Sequence, residues 1–158
     1  MARTLGQRRG RTAAAYRSAV YGDPLTPLER DVIATILRDP HPAMDGLRDQ
    51  LAVCRIKSRE FTGAGFCTDI VVPQALAVAG LDRLTLTNVH AEIDGLEHGA
   101  GFVLWIQDGM LDTLEGFTYV GSWPDQSDVY VVSVPPTGVQ AGTTDLEQLA
   151  AAWHGPPL

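Results

Sequence analysis

Lysine and arginine almost disappear after the first third of the chain. Of 12 in 158 residues, Arg83 alone falls beyond residue 59, against 13 carboxylates in the same stretch, which leaves residues 60–158 at −12. Residues 1–59 carry +5, and the total is −7. An anionic body of this kind repels phosphate backbones, which argues against nucleic-acid binding by the C-terminal two-thirds and favours a basic protein partner. Two cysteines cannot form a disulfide framework. No apolar run approaches the roughly 20 residues that span a bilayer, so a membrane protein is not expected. With 45% hydrophobic residues the chain can bury a core without staples.

Residues 1–22 hold Arg3, Arg8, Arg9, Arg11 and Arg17 with no acid before Asp23. They read as a basic arm, the one place where nucleic acid remains conceivable. No apolar stretch of secretory length follows the arginines, so the expected location is cytoplasmic. Residues 23–158 read as a single domain.

Thr26-Pro27-Leu28-Glu29 has the make-up of a helix start, with a capping hydroxyl, proline at the first helical position and glutamate at the third. Leu28, Val32, Ile33, Ile36 and Leu37 form the apolar face of that helix, and Asp39-Pro40 stops it. A second short helix runs from Pro42 to about Ala52, with Met44, Leu47 and Leu51 inward. Beyond Val53 the hydrophobic period drops to two, predicting strands near 53–60, 65–72, 85–94, 101–107, 110–119 and 128–134. Asp108-Gly109 is the clearest hairpin signal. A last helix is expected near 145–153. The predicted architecture is α+β: a mostly antiparallel sheet of about six strands, ordered as a meander, covered by N-terminal helices and a short C-terminal helix.

The Asp108-Gly109 hairpin contains a conflict. A two-residue turn places Phe102, Leu104 and Ile106 on one face with Leu111, Thr113, Glu115 and Phe117; a three-residue turn with a bulge places them with Met110, Asp112 and Leu114. Either register leaves a carboxylate among large apolar side chains, which marks Asp112 and Glu115 as candidate functional acids.

His90, Glu92 and Asp94 alternate along one predicted strand, and Glu97-His98 follow in the turn. Imidazoles and carboxylates at this density could ligate a transition metal through His90, Glu92, Asp94 and His98, although the same alternation is that of a half-solvated strand. Cys54 and Cys67 fall on the first two predicted strands, where they could approach one another as packed thiols. Gly63-Ala64-Gly65-Phe66 is echoed by Gly99-Ala100-Gly101-Phe102, but both lead into strands and read as turns rather than a phosphate cradle. No serine elbow or cysteine with an evident base is present. Ser122 lies in Gly121-Ser122-Trp123-Pro124-Asp125, a rigid loop whose tryptophan could line a pocket with Trp105, Phe117 and Tyr119.

The stretch from Ser58-Arg59-Glu60-Phe61-Thr62-Gly63-Ala64-Gly65-Phe66 through Val72-Pro73, and then from Gly95 to Pro124, resembles a family of small uncharacterised bacterial proteins whose mark is a segment like Gly101-Phe102-Val103-Leu104-Trp105-Ile106-Gln107-Asp108-Gly109 running into Leu114-Glu115-Gly116-Phe117-Thr118-Tyr119 and Trp123-Pro124. The resemblance spans roughly residues 26–125. It implies a shared fold and carries no catalytic residue across.

These observations favour a non-catalytic, bacterial, immunity-type module that binds a basic protein, without a cofactor, through Glu92, Asp94, Glu97, Asp112, Glu115, Trp123 and Asp125. The alternative is a metal-dependent or small-molecule-binding enzyme built on His90, Glu92, Asp94 and His98, or on a pocket near Glu115.

Overall fold

The computed structural model describes residues 22–135 and 145–155; the arginine-bearing arm lies outside them. Helix α1 (Pro27–Ile36) starts on the expected capping box. The Thr26 hydroxyl accepts from the Glu29 amide, and the Glu29 carboxylate accepts from the Thr26 amide. In α2 (Pro42–Val53) His41 caps the start through its ring nitrogen, and Ala43, Met44, Leu47, Gln50 and Leu51 form the buried stripe. The last helix, α3, covers Asp145–Ala152. Among the described residues no helix is long and apolar enough to cross a membrane.

Among the described residues seven antiparallel strands form one sheet: β1 (Arg55–Phe61), β2 (Gly65–Val71), β3 (Leu84–Leu86), β4 (His90–Ile93), β5 (Ala100–Gln107), β6 (Met110–Thr118) and β7 (Tyr130–Ser133). The α+β class is as expected, and two details differ. The strand expected at 85–94 divides into β3 and β4, which lie one after the other along β5; Asn88 between them has φ +72°, a left-handed conformation that interrupts extended pairing. The path β1-β2-β6-β5-β4-β7 is also not a simple meander. A long connection containing the 3-10 turn Gln74–Leu76 lets the β1–β2 hairpin add to the far side of β6, and β7 returns beside β4.

The hairpin conflict is resolved by doing both things. Asp108 (φ +51°) and Gly109 (φ +71°) make a two-residue turn, so Gln107 faces Met110 and Ile106 faces Leu111. A bulge then follows: Trp105 faces Thr113, which leaves Asp112 as the extra residue. The shift brings Leu111 and Leu114 inward together with Phe102, Leu104 and Ile106, and turns Glu115 outward opposite Val103 and Cys67. Neither carboxylate sits in the core.

Side chains from the inner face, including Phe66, Ile70, Leu84, Leu86, Ala91, Phe102, Leu104, Ile106 and Leu114, pack with Val32, Ile33, Ile36, Met44, Leu47 and Leu149 of the helices into one cluster. Burying a residue such as Leu104 contributes about 2 kcal/mol. The opposite face of the sheet contributes nothing to that cluster from Val103, Trp105, Glu115, Phe117 or Tyr119.

Candidate functional site

The outer face is defined by strand register. Ser58 and Glu60 on β1, Cys67 and Asp69 on β2, Thr113, Glu115 and Phe117 on β6, Gly101, Val103 and Trp105 on β5, Thr85 on β3, and His90 and Glu92 on β4 pair with one another across the sheet and share this face. Six of the seven strands, β2 to β7, contain no Lys or Arg; the cations of the sheet, Arg55, Lys57 and Arg59, all lie on edge strand β1.

Large apolar side chains stand among these acids. Trp105 is 40% exposed and Tyr119 52%. Gly101 makes the aromatic arrangement possible: a Cβ there would come within 2.6 Å of Phe117 Cζ and 2.8 Å of Tyr119 Oη, so the two side chains lie over its bare backbone. Phe117 and Tyr119 meet edge to face at 5.6 Å, and Tyr119 stacks on the His90 ring at 6.2 Å. His90 Nε2 lies 3.0 Å from Glu92 Oε1. Towards β2, the Thr113 hydroxyl lies within hydrogen-bond reach of Asp69 (3.2 Å) and Asp112 (3.1 Å), and Ser58 donates to Asp69 at 2.9 Å.

Of the residues singled out from sequence, Glu92, Asp112 and Glu115 therefore belong to this face. Asp94 falls just past the end of β4, and with Glu97 it lies exposed in the turn before β5. The four-residue metal set is not assembled. His90 and Glu92 meet, but no group of three or more His, Cys, Asp or Glu among the described residues could hold an ion, because Asp94 leaves the strand alternation and His98 follows in the turn. Cys54 and Cys67 are not cross-hairpin neighbours: Cys54 ends α2, and Cys67 faces Glu60. Burial pushes the Cys54 thiol up, away from the reactive thiolate.

Trp123 and Asp125 belong to the other side of the sheet. Trp123 packs edge-on against Phe66 at 5.0 Å and Phe102 at 6.5 Å, so the two echoed Gly-Ala-Gly-Phe segments deliver their phenylalanines to one indole. It shares no pocket with Trp105, Phe117 and Tyr119, which face outward. Instead it walls a half-enclosed cleft of about 230 Å³, with Phe61, Phe66, Pro124 and Asp125 among the lining side chains. The cleft does not include Glu115.

The floor of that cleft contains Glu29, which local sequence marks only as a helix cap. Glu29 is 1% exposed, and its carboxylate accepts from four donors. Arg59 Nε donates to Oε1 at 3.0 Å and Arg59 Nη2 to Oε2 at 2.5 Å; the Thr68 hydroxyl donates to Oε1 at 2.5 Å and the Thr26 amide to Oε2 at 2.8 Å. The available signal was Arg59 itself, which alternates with outward Ser58 and Glu60 and so had to point at the helices.

Comparisons of the chain with family models, curated proteins and solved structures returned no match.

Proposed function

We propose that the protein is a non-catalytic interaction module that docks a basic protein on the open face of its sheet. The observation that supports this most directly is the composition of that face. Half-exposed Trp105 and Tyr119 stand among Asp69, Glu92, Asp112 and Glu115, on strands that hold no lysine or arginine. Rigid aromatics supply contact area at low entropic cost, and a one-sign rim steers and selects an oppositely charged partner. A small acidic protein that covers a basic toxin is the immunity-type instance of this chemistry.

The test immobilises the chain beside its Glu92→Lys/Glu115→Lys variant and measures the association of proteins retained from the source cell at low and high salt. Both positions are solvent-facing, so the variant keeps the fold. The expected result is a basic protein held by the parent chain, lost or slowed about tenfold by the variant, and slowed by salt. If every retained protein binds the variant equally, or associates at a rate indifferent to ionic strength, the proposal is wrong.

A further inference from the structure

The cleft beside Trp123 is separate from the open sheet face and has a chemistry of its own. Its walls are aromatic: Phe66 and Trp123 meet edge to face at 5.0 Å, and Phe61 at the mouth is 66% exposed, a large apolar surface left in water. Its floor is the Glu29–Arg59 pair. Because both guanidinium contacts go to the two oxygens of one carboxylate, Arg59 presents a neutralised wall rather than an anion receptor. The loop of Asp125, Gln126, Ser127 and Asp128 closes one side. Neither Asp125 nor Asp128 is ion-paired with a described residue, so the lining as a whole carries two negative charges beyond the internal pair.

We infer that this cleft binds a single guanidinium or alkylammonium group, its alkyl stem against Phe61 and Trp123 and its charge at Asp125 and Asp128. The aromatic walls take the apolar stem out of water, while the two rim carboxylates accept charge-assisted hydrogen bonds from the cationic head. The volume of about 230 Å³ is below the roughly 300–1,000 Å³ of pockets for drug-sized ligands, which fits one side chain or a small amine. Anions are disfavoured by the rim, and a neutral ligand leaves both rim carboxylates without a counter-charge.

The probe is n-butylguanidinium chloride, titrated into the full chain and followed by the indole N–H resonance of Trp123, with n-butylurea as its neutral isostere. Saturable shifts with the cation, absent with the urea and weakened about fivefold by Asp125→Asn/Asp128→Asn, are expected. Phe61→Ser, at an exposed position, weakens binding independently of the acids. A blocked Gly-Arg-Gly peptide separates the two sources of the group: binding as tight as the free cation assigns the cleft to a protein side chain, and exclusion assigns it to a small amine. No saturable shift with either cationic probe, equal shifts with n-butylurea, or full affinity in both variants overturns the inference. None of these outcomes depends on the open sheet face.

Discussion

Arg59 holds Glu29 by both carboxylate oxygens across 30 residues of sequence, joining edge strand β1 to the first turn of α1. The same carboxylate closes the capping box with Thr26 and takes the Thr68 hydroxyl of β2. One buried charge therefore ties the helix start, the edge strand and its neighbour together, and fixes the floor of the Trp123 cleft. A buried ion pair need not outperform an apolar substitute, but removing one member leaves the other charge without its counterpart.

Arg59→Ala is therefore expected to cost about 3 kcal/mol in urea unfolding. Arg59→Lys recovers only part of it, since one ammonium cannot reproduce the planar fork on two oxygens. A loss below about 1 kcal/mol for the alanine variant would mean that the Thr26 amide and Thr68 hydroxyl suffice to hold Glu29.

The helices and most strands were legible because their signals are local. Thr26-Pro27-Leu28-Glu29 states a helix start in four residues, and the alternation of Phe102, Leu104 and Ile106 states an inward face. What was not legible depends on partners distant in sequence. No periodicity indicates that β2 pairs with β6, or that Asn88 breaks a strand in two. The hairpin shows the limit well: the register conflict was visible, but its solution required a tight turn and a bulge at once, and only packing against the helices selects the combination that turns Asp112 and Glu115 away from the core.

Gln50 supplies part of that selection. It lies on the inward stripe of α2, three residues after Leu47, and is fully buried. Its amide nitrogen donates to the carbonyls of Gly109 (2.7 Å) and Leu76 (2.8 Å), and its oxygen accepts from the Leu111 amide (2.9 Å). Gly109 O also receives the Val78 amide, so the groups that lose their Gln50 partner without a replacement in Gln50→Leu are the Leu111 N–H and the Leu76 carbonyl. The expected cost is about 2 kcal/mol, with faster hydrogen exchange at the Leu111 amide. Unchanged exchange there, with stability within about 0.5 kcal/mol, would remove Gln50 from the account of the register.

The candidate site was legible in a similar proportion. Strand pattern singled out Glu92 by its alternation and Asp112 and Glu115 by the hairpin register, and the three share the open face, because acids concentrated in strands without cations must face water somewhere. It could not separate them from Trp123 and Asp125, which the sheet places on its other side. In the sequence Gly101 is visible only as part of a turn motif. Its role as the bare backbone beneath Phe117 and Tyr119 is a property of pairing with Phe117, which no single strand reveals.

Tyr130 on β7 offers a pH-dependent check of how α1 meets the sheet edge. Partial desolvation raises its phenol from 10.0 to about 12, reinforced by its hydrogen bond to Asp31 and by the charges of Asp31 and Asp128. The hydroxyl donates to Asp31 Oδ2 at 2.6 Å. Between these two values the unfolded chain has released the proton and the folded chain has kept it, so the unfolded state binds fewer protons and stability falls as pH rises. The contribution is complete below pH 10 and lost as pH passes through about 12. Subtracting the phenolate absorbance titration of Tyr130→Phe from that of the parent chain should isolate a component with its midpoint near 12. Asp31→Asn keeps an acceptor but removes a charge, and should bring the midpoint down towards 10 and narrow the alkaline loss of stability. If the isolated component titrates at the ordinary value in the parent chain, Asp31 does not hold the phenol, and the attachment of β7 to α1 must rest on Val132 and its apolar neighbours instead.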